Sequence, residues 1–473
     1  MIIKNIYVYN DVGIKELKHV QITEEGSRII FNIDDDLSLL SDEKILDSKG
    51  CYFLMPGMFD VHVHGQGGID FADLGDETSE DGLECIVHAL GKTGLSYALA
   101  TLVSMPIEAL KKSLIKINDF MQKQAQNPSP GCTQIVGVHL EGPFISKKCK
   151  GAHAEEALQE SISMKQFRDI INVAPNIKHW KITIAPDLFG AEDFIKQTKL
   201  LEQEGIFVKV FIGHCNPDDK EVIGRAIAAG ACGFTHLGNA CQESCSRDER
   251  ELALHDSKSH VVQWVLENVD SCPPGVELIV DGVHLSTSFI SLMHNTIKNK
   301  IILVTDALGP TGCNDGTYKL GVLDIRKEKN NFYLADNRGG FLMKSGILPS
   351  GEKGLVKTLA GSAASLSLCA QKYFEVMSNE PQASQMDFMY AALVANPRGT
   401  SLSRAAISAL SDENNFSIFN DKGQLILSSC HGKLIEHQQL HWPIEGMLNY
   451  GILAKQPVEE NSSAETKVSY PFH

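Results

Sequence analysis

The sequence predicts an α/β protein: a (β/α)8 TIM-like barrel with a small β-sandwich domain built from both chain termini. Three observations predict it. From Tyr52 onward, apolar strand-like runs alternate with segments of helical periodicity, the pattern of a parallel sheet covered by helices. Eight such runs occur, at 52–63, 95–102, 134–140, 180–185, 206–213, 232–236, 276–283 and 300–305. Eight strand–helix units suit a barrel, which needs roughly 250 residues or more. Finally, short strands separated by turn residues stand at both ends of the chain. An open, doubly wound sheet is the structural alternative.

In chain order, residues 1–51 read as short strands, Ile2 to Val8, Lys18 to Ile22 and Ser27 to Ile33. Asn10-Asp11-Val12-Gly13 and Glu24-Glu25-Gly26 supply the turns between them. Residues 52–397 form the predicted barrel, with helices expected over 106–124, 190–204 and 218–229. A last helix is expected over Gly354 to Phe374, its small run Ala360-Gly361-Ser362-Ala363-Ala364 suited to close packing. In 398–457, Phe416 to Phe419, the turn Asn420-Asp421-Lys422-Gly423 and Gln424 to Ser428 read as a hairpin, with Gly432 to Ile435 as a further strand. These strands are expected to complete the small domain begun at the N-terminus. Residues 458–473 are polar and predicted to be disordered.

The 473 residues (51.8 kDa) carry 43 basic and 59 acidic side chains, a net charge of −16. That balance opposes non-specific binding to nucleic acid or an anionic membrane. The N-terminal apolar run contains Lys4 and Asn5 and lacks a cleavage site, so no signal peptide is expected. No apolar run approaches the ~20 residues of a membrane span. The 12 cysteines are scattered, without a C-x-x-C pair, which suits a reducing cytoplasm.

The predicted strand ends carry the chemistry. The first run ends Asp60-Val61-His62-Val63-His64, the third ends at Glu141, and the fifth and sixth end at His214 and His236. The seventh ends Asp281-Gly282-Val283-His284 and the eighth ends at Asp306. In a barrel, the C-terminal rim is where catalytic groups collect. Taken singly, each residue has a structural reading. His62 and His64 could be a hydrogen-bonded pair in a turn, His214 and His236 satisfied core histidines, and Asp306 a helix cap. Five imidazoles and two or three carboxylates on one rim are hard to explain as packing, and a buried unpaired carboxylate such as Glu141 is costly. A Glu with two His is a zinc-type donor set that leaves positions open for water and substrate. A divalent metal there lowers the pKa of a water toward ~7 and polarises a carbonyl. Asp306 is then the candidate proton shuttle and His284 the candidate oxyanion partner, the machinery of amide hydrolysis. No P-loop, dinucleotide-binding or G-x-S-x-G motif competes.

The segments Pro56-Gly57-Met58-Phe59-Asp60-Val61-His62-Val63-His64-Gly65, His139-Leu140-Glu141-Gly142-Pro143-Phe144, Gly213-His214-Cys215-Asn216, Thr235-His236-Leu237-Gly238-Asn239-Ala240, Asp281-Gly282-Val283-His284 and Val304-Thr305-Asp306-Ala307 follow one another in family order. Together they resemble the N-acetylglucosamine-6-phosphate deacetylase family of the amidohydrolase superfamily. The resemblance implies Glu141, His214 and His236 as ligands of the main metal, and Asp306 as general base and acid. It also implies sugar contacts from His284 and His153, and phosphate contacts from the amides of Asn239 and Ala240. His62 and His64 match members that hold a second ion, so the cofactor is one or two divalent ions, zinc by donor type. A homodimer acting on a small amino-sugar substrate is implied as well. Where the family has Arg-Glu-Pro-Gly, this chain runs Cys241 to Glu251 with added carboxylates, leaving Arg247 or Arg250 for the phosphate. The alternatives are a deacetylase of an unphosphorylated N-acyl amino sugar, a catalytically silent sugar-phosphate-binding relative, and a cyclic-amide hydrolase.

Overall fold

Met58–Val63 (β1), Leu95–Leu102 (β2), Gln134–Glu141 (β3), His179–Ile184 (β4), Phe207–Ile212 (β5), Gly233–Phe234 (β6), Gly275–Ile279 (β7) and Ile301–Val304 (β8) make one sheet in sequential order. Every neighbouring pair is parallel. The computed structural model describes residues 1–10, 13–37, 44–75, 81–241, 259–336, 340–347, 353–394 and 413–437. The sheet curls shut just beyond β8. The Asp306 N–H donates to the His62 carbonyl at 2.8 Å, the His64 N–H donates to the Ala307 carbonyl at 2.8 Å, and Val63 and Ala307 form a parallel bridge. The predicted barrel is therefore present, and the doubly wound alternative is not.

The helices form for local reasons. Ile107–Gln126 buries Leu110, Leu114 and Ile117, spaced to share one face. Met164–Ile171, His260–Glu267, Thr287–Ile297 and Leu366–Val376 each begin at a serine whose side chain accepts a backbone N–H of the first turn. No helix among the described residues is long and apolar enough to cross a membrane.

The second large sheet uses both ends of the chain. Its order is Lys433–Glu436, Leu425–Cys430, Phe416–Asn420, Tyr52–Pro56, Ile2–Tyr9, Lys15–Ile22 and Arg28–Phe31, with Ile45–Asp47 also paired to Ile2–Tyr9. Tyr52–Pro56 belongs here, antiparallel to Phe416–Asn420, so the run read as one strand from 52 to 63 is two strands divided at Gly57. A Cβ on Gly57 would lie 2.3 Å from the Ser96 hydroxyl, which is why the chain can pass so close to β2 there.

Two features beyond β8 depart from expectation. Residues 354–374 are not one helix: Lys353–Lys357 and Leu359–Ser362 are strands, and the helix begins only at Leu366. The small run around Gly361 serves a strand instead, because Gly361 has φ +77° and its Cβ would meet Leu308 at 2.7 Å. Gly316–Leu320, Leu323–Glu328 and Asn331–Leu334 form an antiparallel sheet with Leu359–Ser362, and Met343–Ile347 pairs with Lys353–Lys357. The expectations for 398–412 and for 438–473, including the tail, lie outside the described residues.

The shortest barrel strand depends on a missing side chain. A methyl on Gly233 would sit 2.0 Å from the Gly275 carbonyl oxygen and 2.6 Å from the Phe211 ring. Gly233→Ala is expected to destabilise the protein by about 1–3 kcal/mol through overpacking. Thermal unfolding followed by circular dichroism measures this, and an unshifted midpoint would contradict the packing described.

Candidate metal centre and active site

Strand ends bring the ring nitrogens together around Glu141 at the end of β3. Its Oε1 lies 2.8 Å from His236 Nε2, 3.0 Å from His214 Nε2 and 3.4 Å from His62 Nε2. Its Oε2 lies 3.3 Å from both His64 Nε2 and His153 Nε2. Asp306 faces the same group, with Oδ1 3.0 Å from His64 Nε2 and 3.3 Å from His62 Nε2. All seven residues are buried.

Three of them adopt a backbone conformation that ordinary residues avoid: φ is +50° at His214, +27° at His236 and +53° at Asp306. Such residues cost on the order of 1–3 kcal/mol each and persist only when their surroundings over-determine them. Here hydrogen bonds hold the turns. The His214 carbonyl accepts from the Ser146 N–H at 3.1 Å, and the Asp306 carbonyl accepts from the Ser362 N–H at 2.8 Å.

The group fits a divalent ion. Tetrahedral ligands with bonds of ~2.0–2.1 Å stand about 3.3 Å from one another. Glu141 Oε1, His214 Nε2 and His236 Nε2 are 2.8, 3.0 and 3.1 Å apart, close to that spacing. The His214 Nδ1–H donates to the Cys149 carbonyl at 3.0 Å, leaving the lone pair on Nε2, as a metal-binding histidine requires. His62 Nε2 is buried within reach of two carboxylates yet forms no hydrogen bond. Ligand atoms of His62, His64, Glu141 and Asp306 also lie within 4.8 Å of one another, as do those of Glu141, His153 and His214.

The electrostatics call for positive charge. Burial opposes ionisation, yet His62 and the other imidazoles hold Glu141 well below the usual carboxylate range and Asp306 at about 2. Burial likewise opposes charging of the rings, yet Glu141 and Asp306 push His62 up to about 9 and raise His64 well above its ordinary value. The two carboxylates draw a cation or protons into the centre.

His153 behaves differently. The Ser104 N–H donates to its Nδ1 at 3.1 Å, so the proton sits on Nε2 and faces Glu141 Oε2. Burial, against the pull of Glu141, lowers its pKa to about 4 and keeps it neutral. This contact with the central carboxylate was not foreseen from sequence. His284 is clamped by Asp281, whose Oδ2 accepts from Nδ1 at 2.7 Å and whose Oδ1 accepts two backbone N–H groups at 2.8 Å.

A cavity of about 970 Å³ opens over the centre, lined by His64, Glu141, His153, His214, His236, Asn239, Ala240, His284 and Asp306. The structure thus brings together ten of the twelve candidate residues, His62 included. Arg247 and Arg250 lie outside the described residues. Sequence reading missed the apolar lining from the segment after β8, Leu320, Leu334 and Leu342. It also missed Lys181 and Glu277, each a charge inside an apolar run, His-Trp-Lys-Ile-Thr-Ile and Gly-Val-Glu-Leu-Ile.

No family model matches the chain. Among curated proteins it is 29% identical over 272 residues to the N-acetylglucosamine-6-phosphate deacetylase of Vibrio furnissii, covering 58% of this chain and 61% of that one. It is 27% identical over 358 residues to the protein of the same name from Mus musculus, covering 74% of this chain and 76% of that one. Its fold is that of the Mycobacterium smegmatis N-acetyl-D-glucosamine-6-phosphate deacetylase, a variant of which was solved in complex with N-acetyl-D-glucosamine-6-phosphate. The TM-score is 0.67 at 21% identity, over 92% of this chain and 98% of that one. With the motif order, the barrel and the convergent donor group all in agreement, the chain is similar in sequence to the curated N-acetylglucosamine-6-phosphate deacetylases and shares the fold of the solved ones.

Proposed function

We propose that the chain hydrolyses the acetamide of N-acetylglucosamine 6-phosphate, giving acetate and glucosamine 6-phosphate. The observation that carries this reading is the convergence of Glu141, His214, His236 and Asp306 in one cavity. In this reading Glu141, His214 and His236 hold a zinc ion, and His62 and His64 with Asp306 offer a second position. A divalent ion supplies Lewis acidity, lowering the pKa of a water toward ~7 and polarising the acetyl carbonyl. Asp306 takes the proton from the attacking water and delivers it to the departing nitrogen, so the C–N bond breaks as an amine leaves. His284, held by Asp281, donates to the carbonyl oxygen as negative charge gathers there. The amides of Asn239 and Ala240 receive the phosphate, and His153 borders the sugar. The reading places the protein in the cytoplasm as a homodimer.

The assay is acetate release from N-acetylglucosamine 6-phosphate, its unphosphorylated counterpart and N-acetylgalactosamine 6-phosphate, since one relative is named for the last substrate. The phosphorylated glucosamine derivative is expected to be favoured about ten- to hundredfold over the plain sugar, the worth of one or two charge-assisted hydrogen bonds. Dialysis against a chelator should abolish release and added Zn2+ should restore it. The acidic stretch Glu243, Asp248, Glu249 and Glu251 favours the unphosphorylated alternative, and equal turnover of the two sugars would establish it.

A further inference from the structure

Two charged side chains are sealed inside the barrel, and the chemistry just described does not use them. Lys181 on β4 and Glu277 on β7 are both 0% exposed. The Lys181 ammonium donates to Glu277 Oε1, reaches the Val61 carbonyl at 3.4 Å, and lies 4.8 Å above the Phe211 ring. The other oxygen of Glu277 lies 3.4 Å from Nδ1 of His62.

A buried ion pair is poor value as a stabiliser. Desolvating both charges costs as much as their attraction returns, and apolar residues of similar volume often serve equally well. Beside the pair runs a chain of uncharged side chains. Thr101, His139, Thr183 and Thr235 are linked by contacts of 3.3, 2.8 and 2.7 Å. The pair calls for a reason other than packing, and among the described residues its side-chain contact with the metal centre is His62.

We propose that Glu277, its charge balanced by Lys181, is the positioning residue that orients His62 toward the metal centre. With Nδ1–H donated to Glu277, the lone pair of His62 lies on Nε2, the nitrogen within 3.4 Å of Glu141 and 3.3 Å of Asp306. The His139 ring meets His62 edge-on at 4.5 Å and limits its rotation. A carboxylate behind a metal-binding imidazole sets its tautomer and raises its basicity. Lys181 lets that carboxylate stay ionised in a dry interior without drawing the proton it should accept from His62.

The inference rests on the metal-centre reading, and the test separates the two. Full-length protein is stripped of metal and titrated with Zn2+ by calorimetry, and bound zinc is counted by mass spectrometry. The double variant Lys181→Met/Glu277→Leu exchanges the pair for apolar residues. It is expected to keep its thermal midpoint but lose about 10- to 100-fold in Zn2+ affinity at one class of site. Glu277→Gln keeps an oxygen that can accept from Nδ1–H, so it should fold and recover part of that affinity. Wild-type affinity and stoichiometry in both variants would overturn the proposal and leave the pair a purely structural one. Failure of the unaltered protein to bind Zn2+ would overturn the metal-centre reading, and the proposal with it.

Discussion

Asp306→Asn is expected to lower acetate release by about 10²–10⁴-fold, the usual worth of a positioned acid–base group. Asparagine keeps the shape of the side chain and can still contact His64 and His62, which stand 3.0 and 3.3 Å from Oδ1. It cannot accept a proton from water or return one to the amine. Glu141, His214 and His236 are untouched, so metal analysis should still find at least one ion per chain. Near-normal turnover would refute the assignment of the shuttle, whatever the metal content. Loss of all metal would instead make Asp306 an indispensable ligand.

Glu141→Ala should have the larger effect, removing metal and activity together. Among the described residues, Glu141 is the one side chain that reaches all five of the imidazoles His62, His64, His153, His214 and His236. Without it, His214 and His236 present nitrogens 3.1 Å apart with no anion between them. Bound zinc near zero and acetate release at background are the expected readings. Retained stoichiometric zinc would show that the histidines suffice and that Glu141 is not a principal ligand.

Much of this centre was legible because its residues sit at predictable places. An apolar run that ends in a histidine or a carboxylate announces a strand whose last side chain reaches the rim, and β1, β3 and β8 read that way directly. What escaped notice depends on pairing between distant segments. Tyr52–Pro56 is as apolar as β1, and only its partner Phe416–Asn420 assigns it to the other sheet. The strands after β8, Gly316–Leu320 and Leu323–Glu328, alternate between more and less buried positions over runs too short to stand out. Residues 354–374 carry a helix-like pattern, but Gly361 adopts φ +77° beside Leu308 and its segment is a strand, so the helix starts only at Leu366. Lys181 and Glu277 were visible as charges in apolar runs, but that they face each other across the barrel follows only from closure.

The pairing of Tyr52–Pro56 with Phe416–Asn420 has a bearing on biosynthesis. The segment that leads straight into His62 and His64 leaves the ribosome well before the strand that flanks it. Until it arrives, the early segment presents a bare edge, a template for association with other nascent chains. Competence should therefore wait on the synthesis of Phe416–Asn420, and a product stalled or terminated before it should be prone to aggregate.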